Sequence, residues 1–550
     1  MKQNQTIAWL WRVTGRKKGY IFALTVIQGI SGSIGVVYAL LLRAVVDSAV
    51  GKDAASFRRH VILIIGLVLV QLGISAVIRW LHELAKADIE NTLKQRLLDN
   101  ILRKDYASVS ATHTAEWLNR LTGDTTVVAG GAVEILPGLF GTVVRLVSAL
   151  IMIITLDRWF AWILIPGGLL LIVLTCAFRG VLKRLHKNIQ ESDGRLRVFL
   201  QERISALMII KAFAAEKQAR AGAAEAMENH KKARLRRNRF SNAANIGFGV
   251  AMQGMYLLGV VYCAHGIMTG RVTYGTMTAV MQLIGQVQGP FANISSYLPR
   301  FFAMTASAER LMEAEDYADD EQAADGETVR RYYEREFHAL GLRGASFTYQ
   351  PAGDEERPVV LDGLNLEIRK GETVAFTGHS GCGKSTVLKL LMCMYPLSSG
   401  ERYIDGQPLT AYHRRLFAYV PQGNALMNGT VREAVCFAEP YEETRLKRSL
   451  RIACADEFVD DVEMALGERG SGLSEGQLQR LAIARAVYAD APVLLLDEST
   501  SALDEATERK LLENLRSMTE KTVVIVTHRK AALSICDRVL EFTECGVKEA

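Results

Sequence analysis

The stretch GHSGCGKST, residues Gly378, His379, Ser380, Gly381, Cys382, Gly383, Lys384, Ser385 and Thr386, decides the fold of this chain. It follows an apolar run of strand character, ETVAFT, and opens a segment of helical periodicity, TVLKLLMCM. A strand, a glycine-rich turn ending in Gly-Lys-Ser and a helix together make a loop that wraps phosphate. The glycines let successive backbone N–H groups turn inward, and the helix N-terminus adds positive potential. Lys384 is placed to reach the outer phosphates of a nucleotide, and the Ser385 hydroxyl to ligate Mg2+. A chance glycine-rich turn would lack the flanking strand and helix.

Downstream, VLLLDEST spans Val493–Thr500. Its apolar run suits a strand buried on both faces. That strand delivers Asp497 to the Mg2+ shell and Glu498 to an attacking water, as orienter and base. Other strand-like runs, VVLDGLNLEI and TVVIVTH, alternate with helical patterns, so residues 336–550 read as a parallel α/β nucleotide-binding domain. Before it lies EAEDYADDEQAADGE, acidic and weakly apolar, which reads as a linker over residues 311–335. The net charge of +6 on 550 residues is too small to indicate nucleic acid, and the eight cysteines show no C-x-x-C spacing, so they read as reduced thiols.

The first half differs in kind. Six apolar runs are long enough to cross a bilayer, which takes about 20 residues. They fall near Tyr20–Leu42, Val61–Trp80, Leu136–Leu156, Trp159–Phe178, Ile246–Met268 and Tyr274–Phe302, giving a transmembrane bundle over residues 20–310. Residues 1–19, with Trp9, Leu10, Trp11 and Val13 ahead of Arg16, Lys17 and Lys18, suit a short interfacial helix. Two long gaps, rich in Lys and Arg, fall on one side and belong in the cytoplasm by the positive-inside rule. In the first gap Leu93, Leu97 and Ile101 recur four apart, so the spans continue into the cytosol as amphipathic helices. These meet at two turns, Tyr106–Trp117 and Leu207–Glu216.

At this point the chain resembles the ABC transporter family, in its exporter form with a membrane domain fused ahead of the ATPase. The matching elements stand in the family's order: Tyr349 in SFTY, the GHSGCGKST loop, Gln422 in YVPQ, GERG at Gly467–Gly470, LSEGQ at Leu473–Gln477, SALD ending at Asp504, and His528 in VTHR. The resemblance implies that Tyr349 stacks on adenine, Gln422 senses Mg2+ and water, and His528 contacts the γ-phosphate. It implies too that Ser474, Gly476 and Gln477 meet ATP held by a second chain while Asp504 lies at the dimer interface. ATP and Mg2+ are the implied cofactors. The implied partner is a second half-transporter, preferably an identical copy, in a bacterial plasma membrane.

Glu475 departs from the family's commoner glycine. Ser474 can cap the following helix with Gln477 completing a capping box, and Glu475 then falls in the first turn, where the helix dipole favours an anion. The expectation is retained activity. The sixth span carries a polar stripe of Thr278, Gln282, Gln286, Asn293 and Tyr297, which lines a cavity or a helix contact. Arg145 in the third span either meets substrate or lipid, or pairs with a carboxylate such as Asp47. The resulting expectation is an ATP-driven exporter of a small molecule, lipid or peptide. The alternatives are an importer on the same fold, as among siderophore carriers of the family, and an ATP-gated channel.

Overall fold

The computed structural model describes residues 2–349, 359–423, 426–467, 472–543 and 546–549. The chain divides into two compact units: Met1–Gln95 with Arg120–Leu311, and Arg96–Asn119 with Met312–Ala550.

The first unit is helical. α1 (Lys2–Thr14) ends in a 3-10 turn and is followed by α2 (Lys18–Val50), which carries the first apolar run. Trp9 of α1 is buried, while Trp11 is exposed and lies under the Lys18 ammonium. α3 (Ala54–Arg103) carries the second run and α6 (Thr125–Leu156) the third; the short α4 (Tyr106–Ala111) and α5 (Thr114–Asn119) lie between them. α7 (Arg158–Ser205), α8 (Leu207–Ala212), α9 (Glu216–Met268) and α10 (Tyr274–Asp316) complete the set. Four stretches among the described residues are long and apolar enough to span: Gln5–Val50, Ala54–Arg103, Thr114–Leu156 and Glu216–Met268. The remaining two runs lie in the continuous helices α7 and α10.

Helix length carries the architecture. α3 has 50 residues and α9 has 53. At ~1.5 Å per residue these reach about 75–80 Å, against ~30 Å of hydrocarbon. Each therefore runs far beyond the bilayer, and Ile89, Leu93 and Leu97 of α3 are buried along that extension. Small residues let spans meet backbone to backbone. A Cβ at Gly32 of α2 would lie 2.7 Å from the Gly141 carbonyl of α6, and one at Gly141 would lie 3.0 Å from the Gln28 carbonyl. Asp124, buried just before α6, accepts from Ser307 Oγ at 2.8 Å and from Arg310 Nε at 2.8 Å, tying α6 to α10.

In the second unit α11 (Gly326–Arg335) is capped by Asp325 and buries Val329 and Tyr333, so part of the acidic stretch is folded. Ahead of it Asp320 grips Arg414 through two hydrogen bonds, 2.5 and 3.1 Å. β1 (Ala339–Phe347) and β2 (Leu361–Arg369) pair antiparallel, and with β4 (Ser399–Ile404) and β5 (Gln407–Pro408) form a sheet ordered β2-β1-β4-β5. The VVLDGLNLEI run, read as part of a parallel sheet, thus belongs to an antiparallel one. Its burial alternates along the strand, the mark of a sheet with one solvated face.

The second sheet is built from β3 (Thr373–Thr377), β6 (Phe417–Val420), β9 (Val493–Asp497), β10 (Thr522–Val526), β11 (Arg538–Thr543) and β12 (Gly546–Glu549), all parallel except the last. Their order is β12-β11-β3-β10-β9-β6. β9 and β10 are buried at every residue. α12 (Lys384–Leu391) follows β3. A helical layer of α13 (Val431–Cys436), α14 (Glu443–Ile452) and α15 (Glu475–Ala489) packs beside β6, with the small hairpin of β7 (Gly429–Thr430) and β8 (Ala465–Leu466). α16 (Glu505–Arg516) and α17 (Lys530–Leu533) lie toward the C-terminus.

Candidate functional site

The phosphate loop is built by backbone geometry. Gly378, Gly381 and Gly383 take φ of +129°, +87° and +95°. A side chain at Gly378 would strike the Phe542 carbonyl at 2.4 Å, so this position needs glycine twice over. Between them the chain folds back onto α12, whose first residue is Lys384. The Lys384 ammonium donates to the carbonyls of Gly378 and His379 at 2.7 and 2.9 Å, within its own loop.

The ends of β9 and β6 bring two carboxylates, a tyrosine and a glutamine alongside. β9 carries Asp497, whose Oδ1 accepts from Ser385 Oγ at 2.7 Å and Oδ2 from the Tyr419 hydroxyl at 3.0 Å. Burial first and the Asp497 carboxylate next push the Tyr419 hydroxyl far up, so it remains a donor. Asp497 and Ser385 thus place a carboxylate and a hydroxyl oxygen side by side, hard donors of the kind that Mg2+ takes. Glu498 turns out of the strand at φ +48°, a left-handed conformation uncommon for a non-glycine residue, while its N–H still bonds Val526 of β10 at 3.1 Å. Its carboxylate accepts from Gln422 Nε2 at 2.7 Å, which fixes the orientation of that side chain.

Tyr349 is half-buried, its hydroxyl 3.1 Å from Thr386 Oγ1 and its ring edge-on to Phe347 and Tyr395. Tyr395 also meets Tyr106 of α4, edge to face at 5.6 Å, and Ser110 Oγ at 3.3 Å from its hydroxyl. The structure thus joins Tyr349, Thr386, Ser385, Asp497, Glu498 and Gln422 in one constellation. His528 is exposed at the end of β10, beside β3. Ser474 caps α15 as the sequence suggests: its hydroxyl accepts from Gln477 N at 3.3 Å and its N–H donates to Gln477 Oε1 at 2.8 Å. Glu475 is exposed in the first turn. Asp504 caps α16 through Thr507 N at 3.0 Å. Most of GERG, Glu468–Gly470, lies outside the described residues.

Tyr419 and Tyr395 escaped the sequence reading as site residues. Tyr419 stands three residues before Gln422, so its place beside the glutamine was a usable signal. Tyr395 carried none.

In the membrane unit, Gln286 and Tyr297 are used in helix contact: Cβ atoms at Gly35 and Gly138 would lie 2.5 Å from the Gln286 Oε1 and Tyr297 hydroxyl oxygens. Gln282 is exposed, and the side chain of Asn293 lies outside the described residues. Asp47 accepts from Gly275 N at 2.9 Å and Thr273 Oγ1 at 3.1 Å, with Arg43 3.6 Å away. That carboxylate is used by the α9–α10 turn, and Arg145, exposed on α6, does not pair with it.

A phosphate loop, a Mg2+-type oxygen pair and a held glutamate, carried by a chain with spanning helices, define an ATPase that powers movement across a membrane. Residues 21–291 match the ABC transporter transmembrane region and residues 361–501 match the ABC transporter family. The chain belongs to the ABC transporters, as an exporter-type half-transporter: an ATP-driven exporter whose ATPase is coupled to transport. It is 28% identical to the ATP-dependent lipid A-core flippase of Pectobacterium atrosepticum over 98% of this chain and 93% of that protein. The flippase of Vibrio cholerae is 27% identical over 99% and 94%. The fold matches a bacterial Atm1-family ABC exporter solved with ATP bound, with TM-score 0.79, 20% identity, and coverage of 98% of this chain and 95% of that one.

Proposed function

We propose that the chain works as a homodimer in a bacterial inner membrane, with its ATPase domain cytoplasmic, and that it moves a lipid-like amphiphile bearing phosphate. The relatives reported above are lipid A-core flippases over almost their whole length, which supports a lipid substrate. The observation that carries the head-group chemistry is Arg145. It is an exposed cation in the apolar α6, with no ion pair among the described residues. A permanent charge in so apolar a helix is costly unless it meets an anion. The dimer is supported by α8 and the residue after it, where Leu207, Met208, Ile209 and Phe213 are 55, 85, 62 and 79% exposed. An apolar tip so bare calls for a surface to cover it, and a second copy supplies an ATPase domain.

In this reading Tyr349 holds adenine, and residues 378–386 wrap the phosphates with Lys384 turned toward them. Ser385, Asp497 and Gln422 hold Mg2+, which neutralises phosphate charge when bound. Glu498 takes the proton of the attacking water, and Gln422 holds that carboxylate in place. His528 contacts the γ-phosphate. Ser474, Gly476 and Gln477 close over the ATP of the partner, with Asp504 at the seam.

The test is ATP hydrolysis by the full chain in lipid nanodiscs. Turnover should fall by about a thousandfold in Glu498→Gln, the range expected for loss of a positioned base. A phosphate-bearing lipid amphiphile should stimulate the wild type, and Arg145→Ala should remove the stimulation while leaving basal turnover. Turnover equal in wild type and Glu498→Gln rejects the ATPase assignment. Stimulation unchanged in Arg145→Ala rejects the substrate class.

A further inference from the structure

We infer that Arg529 and Gln479 are positioning residues for ATP hydrolysis, making the loop Ser501–Asp504 a stiff strut between His528 and the helix that begins at Ser474. The inference rests on the composite sites proposed above.

The strut is held at three successive residues. Arg529, the residue after His528, donates from Nη2 to the Ser501 carbonyl at 2.8 Å and from Nη1 to the Leu503 carbonyl at 2.7 Å. From α15, Gln479 accepts from the Ala502 N–H at 3.1 Å and donates to Ser501 Oγ at 3.3 Å. Gly476 presses its backbone on the same loop, where a Cβ would lie 2.8 Å from the Ala502 carbonyl. Neither side chain is free to leave. Gln479 is 3% exposed, and Arg529 Nη1 also donates at 2.8 Å to Glu508, which is 2% exposed and bonded to Thr500 Oγ1 at 2.7 Å. A buried carboxylate anchors the guanidinium, because withdrawing that cation would strand a charge in the interior.

The consequence is mechanical. His528 belongs to the ATP that this chain holds. The N-terminus of α15 belongs to the ATP that the partner holds. A shift of the β10 end toward its own γ-phosphate carries Arg529, and through two carbonyls the strut; the strut carries α15 through Gln479. Filling one site then presents the signature to the other, so hydrolysis rises cooperatively with ATP. Lysine cannot replace Arg529 here, since one ammonium cannot span two carbonyls and a carboxylate as a planar fork does.

Full-length wild type, Arg529→Lys and Gln479→Ala are compared in nanodiscs by ATP titration of hydrolysis, fluorescent-ATP binding and thermal melting. The wild type should titrate with a Hill coefficient above one. Both variants should lose about tenfold in kcat, with a Hill coefficient falling to about one and nucleotide affinity within about threefold. Folded variants that keep wild-type kcat and Hill coefficient overturn the proposal, as does a loss confined to KM or a wild type that is not cooperative. If Arg529→Lys does not fold, Gln479→Ala decides; if neither folds, both residues are structural and the positioning role is rejected. Wild-type turnover no higher than Glu498→Gln overturns the ATPase assignment and this inference together, whereas an active, cooperative wild type with unaffected variants overturns this inference alone.

Discussion

Glu475 poses the sharpest question at the scale of single residues. An acid beside a phosphate site is repulsive at short range, yet this one stands in the first turn of α15, exposed, with the Ser474–Gln477 capping box closed around the turn. Its backbone, not its carboxylate, occupies the position that a glycine would. Replacing it should therefore do little: Glu475→Gly forfeits about 0.5 kcal/mol of dipole stabilisation and should move turnover by no more than about threefold. Steady-state hydrolysis checks this, and a gain of tenfold or more would show that the carboxylate does reach the nucleotide. The cap itself was legible, because Ser474 and Gln477 stand three apart at the head of an apolar helical pattern and local spacing is all a cap needs. The left-handed backbone of Glu498 was not legible, since it follows from the turn out of β9 while Val526 of the neighbouring strand still holds its N–H.

Among the elements, α4 and α5 show how local and distant information divide. Sequence placed a turn at Tyr106–Trp117, and the structure makes it two short helices with Asp105 capping the first at 2.9 Å from Ser108 N. Which residue the turn touches came only from the fold: Tyr395, far along the chain, stands with its ring edge-on to both Tyr106 and Tyr349. Pairings of that range leave no periodic trace, which is also why the antiparallel pairing of β2 was hidden while its apolar character was plain. The aromatic chain Tyr106–Tyr395–Tyr349 joins a helix tip to the residue assigned to adenine, so the two should respond together. Tyr395→Ala removes two edge-to-face contacts, each worth about 0.5–1.5 kcal/mol, and should abolish stimulation by lipid substrate with a smaller loss of basal hydrolysis. Tyr395→Phe keeps both ring contacts and should behave as wild type. Equal stimulation in the alanine variant would place the coupling elsewhere.

For the whole molecule, the decisive property is that no single copy holds a complete ATP site in the proposed dimer. A chain with one phosphate loop and one signature makes two sites only by lending each to its partner, as a two-fold axis requires. This arrangement can be tested by crossing two defects. Lys384→Ala removes the phosphate-loop cation but keeps Ser474; Ser474→Arg blocks the signature but keeps Lys384. Each variant alone has both sites damaged and should occlude no Mg2+–nucleotide in the presence of vanadate. In a mixed dimer one site receives the intact Lys384 of one chain and the intact Ser474 of the other, while its companion collects both defects. With random assortment half the dimers are mixed, so equimolar co-expression should restore occlusion at about a quarter of the wild-type sites. Sites contained within one chain predict no recovery on mixing, because every chain then keeps its own defect. Recovery near that quarter would establish both the dimer and the sharing of each site, independently of which lipid is moved.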